Sequence, residues 1–447
     1  MSKIIRLTVI LILLIALIPV STVKANVIPF TNCEPFNPNS TAEVYLICMP
    51  ASWNGDLIVF AHGYMDPRLP VNIPYDELVL SDGTTIPGLV NSLHFAFATT
   101  SYRKTGLAVL EGVQDILGLI QYFQTYYPTR KVFVVGASEG GLVTTLVTEQ
   151  NSSIINGGLA LCGPIGDFVK QVDYWTDFRI VFDYFFPGKL APTAINIPAS
   201  LPNQWSTYPT TITYGPFPPE PKETPGPLQT TVIAAVQTAP ATTISQLLNV
   251  TKAPISVMDR SGSTLNTVLT LLWYNLMATD DGRVELHHGP YTGNQGNPFN
   301  NKSPYRKYTG SKNDTLLNSK VKRYKADPAA LSEMAKYQTT GKIHIPLVTM
   351  HTTLDPVIPY WHEILYSNKV RAAGDSANLT KFSIARYGHC TFYAEEMLLA
   401  FYRLLGNAGG TSMDTYLSAL PNQASQDRFK KLIQKLGNAP SVDINDK

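Results

Sequence analysis

Gly136-Ala137-Ser138-Glu139-Gly140-Gly141 follows the apolar run Lys131–Val135 and precedes a helix-forming stretch, Leu142–Gln150. A serine in Gly-x-Ser-x-Gly between a strand and a helix stands on a turn so sharp that its hydroxyl is pushed clear of the backbone. The residues on either side must be small, because the turn leaves no room for a Cβ on each flank. The pattern also arises by chance in long chains, so its weight comes from its surroundings.

Those surroundings alternate. Ala42–Met49 and Asp56–Ala61 read as strands, the second running straight into His62-Gly63-Tyr64, and Phe95–Thr99 is a third. Gly106–Tyr127 carries Leu107, Val109, Leu110, Val113, Leu117, Ile120 and Phe123 at helical spacing and stops at Tyr127-Pro128. Strand Lys131–Val135, the serine turn and its helix come next, then strand Gly158–Cys162. Strands and helices in this rhythm predict an α/β fold, a mostly parallel sheet with helices on both faces.

From Gly163 to Gly341 the rhythm breaks. Tyr174–Pro187 is dense in aromatics, Leu201–Pro227 is rich in proline and threonine, and Thr264–Ala278 predicts an apolar helix. The sheet pattern resumes at Ile343–Met350, followed by a helix over Trp361–Ala373, a last strand Phe382–Ala385 and a helix over Phe392–Leu405. Gln426–Leu436 predicts one more amphipathic helix, with Phe429, Leu432, Ile433 and Leu436 on one face. We therefore expect core segments at 26–162 and 342–447, the latter ending in a C-terminal helix, interrupted by an inserted cap or lid at 163–341.

The apolar fraction is 44% and the charged fraction 15%, values that suit a globular protein and exclude wholesale disorder. Formal net charge is +2 with no long basic run, which argues against a nucleic-acid partner. Residues 1–25 read as an export signal: Lys3 and Arg6, the apolar run Leu7–Val20, then small residues at Val23 and Ala25. That run is short of the ~20 residues a membrane span needs, so a secreted or periplasmic protein without a membrane span is expected from about Asn26. Export gives Cys33, Cys48, Cys162 and Cys390 an oxidising setting, where two disulfides in any of three pairings are expected. Sequons at Asn39, Asn151, Asn249, Asn301, Asn313 and Asn378 matter only in a glycosylating host.

A serine hydroxyl is a weak nucleophile until a base takes its proton, and the base works best when a carboxylate orients it. Ser138, Asp355 and His389 occur in the order Ser…Asp…His, and each falls just after a predicted strand. Loops at the carboxyl ends of parallel strands open onto one edge of the sheet. His351 and His362 flank the acid; with His94, His287, His288 and His344 they read as structural. Glu363 and Asp375 rival Asp355, but only Asp355 directly follows a strand. Two backbone N–H groups should receive developing negative charge: Glu139, directly after the serine, and Tyr64, in the loop shaped by His62-Gly63.

With these residues in place, the chain resembles the α/β-hydrolase superfamily over about Glu43–Cys162 and Lys342–Leu405, through His62-Gly63, the serine elbow and the Asp355/His389 pair. It looks most like secreted serine esterases of the group containing polyester depolymerases and feruloyl esterases. For the insertion the similarity is confined to Asp173–Pro187 and Tyr324-Lys325-Ala326-Asp327-Pro328. Tannase-type relatives carry bridged cysteines just before the serine and just after the histidine; Cys390 matches the second, whereas position 137 is Ala. The resemblance implies that Cys390 is bridged here to Cys162, with Cys33–Cys48 as the second pair.

The function expected is hydrolysis of small-molecule or polymeric carboxylic esters through an acyl-enzyme, with no metal and no organic cofactor. Activity should fall as pH drops through the ordinary histidine range, near ~6.5. Trp175, Phe178, Phe182 and Phe186 are candidates for a substrate-facing wall, unless they form the insertion's own core. Amide or peptide hydrolysis uses the same groups, and a hydrolase fold reused as a non-catalytic binding module is the alternative outside enzymes.

Overall fold

The computed structural model describes residues 33–38, 42–191, 193–285, 289–295, 306–406, 411–437 and 441–445. The expected export signal, 1–25, lies outside the described residues, as do His287 and His288.

Among the described residues, nine strands form one sheet and two form a separate hairpin. In chain order the strands are β1 (Cys33–Phe36), β2 (Tyr45–Cys48), β3 (Asp56–Ala61), β4 (Ala96–Thr100), β5 (Lys131–Ala137), β6 (Gly157–Leu161), β7 (Ser206–Thr213), β8 (Pro219–Pro225), β9 (Leu347–Leu354), β10 (Leu379–Tyr387) and β11 (Ser441–Asn445). The main sheet runs β1-β2-β4-β3-β5-β6-β9-β10-β11. Only β2 opposes its neighbours; every pair from β4-β3 to β10-β11 is parallel. This is an α/β fold, a mostly parallel sheet carrying helices.

Central strands are buried on both faces, so they read as unbroken apolar runs. Side chains still alternate: Leu57, Val59, Val132 and Val134 join one apolar cluster, whereas Ile58, Phe60, Phe133 and Val135 join the other. The first cluster takes in the helix Val109–Tyr126, which buries Val109, Ile116, Leu119, Ile120 and Phe123. The second is closed by the helices Ala394–Leu405 and Gln423–Leu436, the latter burying Phe429, Leu432 and Leu436.

Between β6 and β9 the chain leaves the sheet. It builds the helices Phe168–Phe185, Ser200–Trp205, Pro227–Thr238, Ala241–Thr251 and Arg260–Glu285, the β7–β8 hairpin, and the shorter helices Asp314–Lys320 and Pro328–Glu333. The proline- and threonine-rich stretch thus forms a hairpin. Pro209, Pro219, Pro221 and Pro225 are tolerated because a two-stranded sheet has only edges. The strand expected from Ile343 begins at Leu347, after Pro346, which has no N–H to give a ladder. Strands β1 and β11 were not expected; β1 is a short edge strand that is mostly exposed.

Candidate active site

Ser138 sits between β5 and the helix Glu139–Gln150 with φ 56° and ψ −122°. Such a backbone costs about 1–3 kcal/mol for a residue with a side chain and persists only where packing enforces it. The packing here is close. A Cβ on Gly140 would stand 1.9 Å from the Ala61 carbonyl oxygen, and one on Gly136 would stand 2.1 Å from that of Gly140. Both glycines two residues from the serine are therefore barred to any side chain.

Asp355 follows β9, two places along the sheet from β5, and His389 follows β10, the next strand. The Ser138 hydroxyl lies 2.9 Å from His389 Nε2, and His389 Nδ1 lies 2.7 Å from Asp355 Oδ2. Asp355 is fully buried, and its other oxygen accepts the Val357 and Ile358 N–H groups at 2.8 and 3.0 Å. Burial works to raise its pKa; the hydrogen-bonded His389 ring and the nearby His351 ring outweigh this and hold it below the usual carboxylate range.

The histidine loop is tied from two sides. Thr352 Oγ1 donates to the Gly388 carbonyl at 2.5 Å, anchoring the loop to β9. Cys390 is bridged to Cys162 at the end of β6, with Cα atoms 5.6 Å apart, and Cys33 is bridged to Cys48 across β1 and β2. Ligand atoms of Cys162, His389 and Cys390 lie within 4.8 Å of one another, but both sulfurs are held in the disulfide rather than as metal-binding thiolates.

On the opposite side of Ser138, the Gly63 N–H donates to Glu77 Oε2 at 2.6 Å. A Cβ on Gly63 would stand 3.1 Å from Ser138 Cβ, so the Gly63-Tyr64 backbone runs against the nucleophile. Glu139 opens the helix, where its N–H has no preceding turn to bond. The Glu139 side chain folds back and accepts the Ala108 N–H at 2.9 Å; burial pushes its pKa up to about 8. Removal from water likewise pushes Glu77 well above its usual range, although part of its surface stays accessible. His62 stacks on Tyr102 with ring centroids 3.8 Å apart and donates from Nδ1 to the Gly63 carbonyl, and burial pushes it down to about 4.

A narrow cavity of about 20 Å³ reaches Ser138 and is lined mainly by Leu107, Phe168, Val172, Trp175, Tyr274, Tyr291 and Ile358. The helix Arg260–Glu285 spans it and is fastened to both sides of the site. Tyr387, two residues before His389, bonds Thr267 Oγ1 at 2.8 Å and the Ser263 carbonyl at 3.0 Å. At the other end, Asp281 accepts from the Tyr64 hydroxyl at 3.3 Å and from the Leu107 N–H.

Ser138, Asp355, His389, Glu139 and Tyr64 are thus gathered in one place. Trp175 joins them: it lines the cavity, donates to the Val357 carbonyl at 3.1 Å and stacks on Tyr274. Phe178, Phe182 and Phe186 do not, a correction to the substrate wall expected from sequence. They pack into the apolar cluster behind Trp175, because this helix is enclosed on more than one face. Glu77, Tyr274, Asp281 and Tyr387 were not anticipated. His351 reads from sequence as a structural histidine; the local hint otherwise is an ionisable residue inside the apolar run of β9, on the same strand face as Asp355.

No protein-family model matches the chain, and no curated protein matches it. Among solved structures it is similar to an acylaminoacyl peptidase of Pyrococcus horikoshii at 11% identity and TM-score 0.40, covering 90% of this chain and 40% of that one. It is similar to the Pyrococcus furiosus esterase Pf2001 at 11% identity and TM-score 0.39, covering 84% and 89%. Against Candida antarctica lipase A the values are 13% and 0.39, covering 83% and 74%. The chain thus spans about two fifths of the peptidase's length.

Proposed function

We propose that this protein is an exported serine hydrolase acting on carboxylic esters. The observation that carries the reading is the unbroken line from the Ser138 hydroxyl to His389 Nε2 at 2.9 Å and from His389 Nδ1 to Asp355 Oδ2 at 2.7 Å. His389 takes the serine proton as the oxygen attacks the acyl carbonyl, and Asp355 holds the ring in the required tautomer and stabilises the imidazolium. The Tyr64 and Glu139 N–H groups receive the oxyanion. His389 then protonates the leaving alcohol; water, deprotonated by the same ring, attacks the acyl carbon, and the ring returns that proton to Ser138 Oγ as the acid leaves.

Residues 163–341 act in this reading as a cap. Its contribution to the cavity, through Phe168, Val172, Trp175, Tyr274 and Tyr291, is apolar or aromatic and favours an uncharged acyl group. Two disulfides and the charge and apolar pattern of residues 1–25 support export. No described helix is long and apolar enough to cross a membrane.

The test is labelling by a fluorophosphonate, together with rates on an aryl ester and the matching anilide. The native protein should be labelled and cleave the ester much faster, and Ser138→Ala should lose labelling and about 10⁶-fold in turnover. Comparable rates on ester and anilide would make it an amidase. Absence of labelling would leave a binding module.

A further inference from the structure

Behind Asp355 lies a second histidine that the reaction as written leaves unused. His351, in β9, is completely buried. Its Nε2 donates to the Ile358 carbonyl at 2.8 Å and lies 3.5 Å from Asp355 Oδ2, the oxygen that already receives His389 Nδ1. On the far side of the ring, Nδ1 lies 3.6 Å from Glu363 Oε1. Glu363 belongs to the helix Trp361–Ala373, and its other oxygen accepts the Thr349 hydroxyl at 2.6 Å.

This arrangement selects a protonation state. A neutral ring with its proton on Nε2 would turn an Nδ1 lone pair toward a buried carboxylate oxygen, setting two acceptors against each other. With a proton on both nitrogens, each edge of the ring meets a carboxylate. Burial opposes that charge, but the neighbouring Asp355 and Glu363 carboxylates prevail and raise the ring to about 10.

We propose that His351 is a positioning residue which, as a buried imidazolium, shares Asp355 Oδ2 with His389 and thereby keeps His389 an available base at lower pH than a triad with a single histidine would. The proposal rests on the triad reading above. Its physical content is that a fixed positive charge on one side of the carboxylate disfavours a second on the other. The remaining groups around His351 do not cancel it. His362 is pushed well below its usual value by burial and is neutral, while Tyr360, whose ring meets that of His351 edge-on, is pushed up and keeps its proton. Ser383, opposite His351 on β10, is occupied with Asp443 of β11. Around Asp355 itself, Tyr174 and Tyr387 are both raised and uncharged.

The experiment is the pH profile of kcat/KM on an aryl ester for the native protein, His351→Gln and His351→Gln/Glu363→Gln. Glutamine offers an N–H near the Nε2 position for the Ile358 carbonyl but carries no charge. The double variant also removes the carboxylate that the single one strands, and it decides the matter if His351→Gln does not fold. The acid limb should move to higher pH by about one unit, so that activity on that limb drops about tenfold beyond any change in the plateau. A folded variant that lowers the whole curve without moving its acid limb would overturn the proposal, because a purely structural histidine would do that. Failure of the triad reading is separate: it would appear as a native protein that fluorophosphonate does not label.

Discussion

On the Gly63 and Glu139 side of Ser138, Glu77, Glu139 and His62 are driven to their neutral forms; on the His389 side, Asp355 and its neighbour His351 are held charged. Glu139 is raised to about 8, Glu77 is raised well above its usual range, and His62 is lowered to about 4. Across the nucleophile, Asp355 is lowered and His351 is raised to about 10. Burial is common to both sides, so burial alone does not explain the difference. Carboxylates on the first side bond one backbone N–H each, at Gly63 and Ala108, whereas Asp355 meets two histidine rings as well as two N–H groups. Acyl transfer by a serine needs this division: negative charge grows on the substrate oxygen on one side, and positive charge grows on the base on the other. A carboxylate beside the first would oppose it, whereas a carboxylate beside the second is required.

The comparison breaks most sharply at Asp355. Asp355→Asn keeps the shape of the group but removes the charge and favours the wrong tautomer of His389, and kcat should fall about 10⁴-fold. Single-turnover kinetics on an aryl ester would measure this. A loss of less than about tenfold would mean that the charged side is not used for catalysis.

A smaller effect tests the neutral side. Glu139 is neutral below about pH 8 and becomes a carboxylate above it. Its backbone N–H is a proposed oxyanion donor, so ionisation puts a like charge beside the developing one. Asp281 adds to the repulsion and Lys104 offsets part of it. The native kcat/KM should therefore fall above about pH 8, by several-fold to about tenfold. Glu139→Gln retains an acceptor for Ala108 and should keep its rate flat over the same range. An identical alkaline decline in both proteins would assign it to another group.

The sequence was most legible where chemistry coincides with strand ends. Ser138, Asp355 and His389 each close an apolar run, and the order of the three constrains which strands they follow. The neighbours that set their charge states are harder to find. Glu77 reaches Gly63 from the short 3-10 helix Tyr75–Leu78, the hairpin residue Glu220 ties the start of that helix by accepting the Tyr75 and Asp76 N–H groups, and Asp281 meets Tyr64 from 217 residues away. None of these contacts has a periodicity or a spacing to betray it. The aromatic residues of the helix Phe168–Phe185 show the converse failure. Trp175 and Phe178 differ by one turn, but one lines the cavity and the other is sealed behind it, since the helix is packed on several sides. Edge strand β1 escaped notice because it is mostly exposed and contains Pro35, so it has no apolar alternation to read.

The smallest expected effect concerns stability and separates the two sides by sign. His62 has a folded-state pKa of about 4, below the ordinary histidine value, so the folded protein binds that proton less readily than the unfolded chain. Its contribution is fully present above ~6.5 and is lost as pH falls toward about 4. His351, raised to about 10, runs the other way: its contribution is complete below ~6.5 and is lost as pH rises toward that value. His62→Gln cannot take up a proton at that position, so its thermal midpoint should start lower at pH 7 and fall less steeply on acidification. Native and variant midpoints should therefore converge between pH ~6.5 and ~4.5. Curves that stay parallel through this window would mean that His62 accepts a proton in the folded state without penalty, and the neutral side would lose one of its three members.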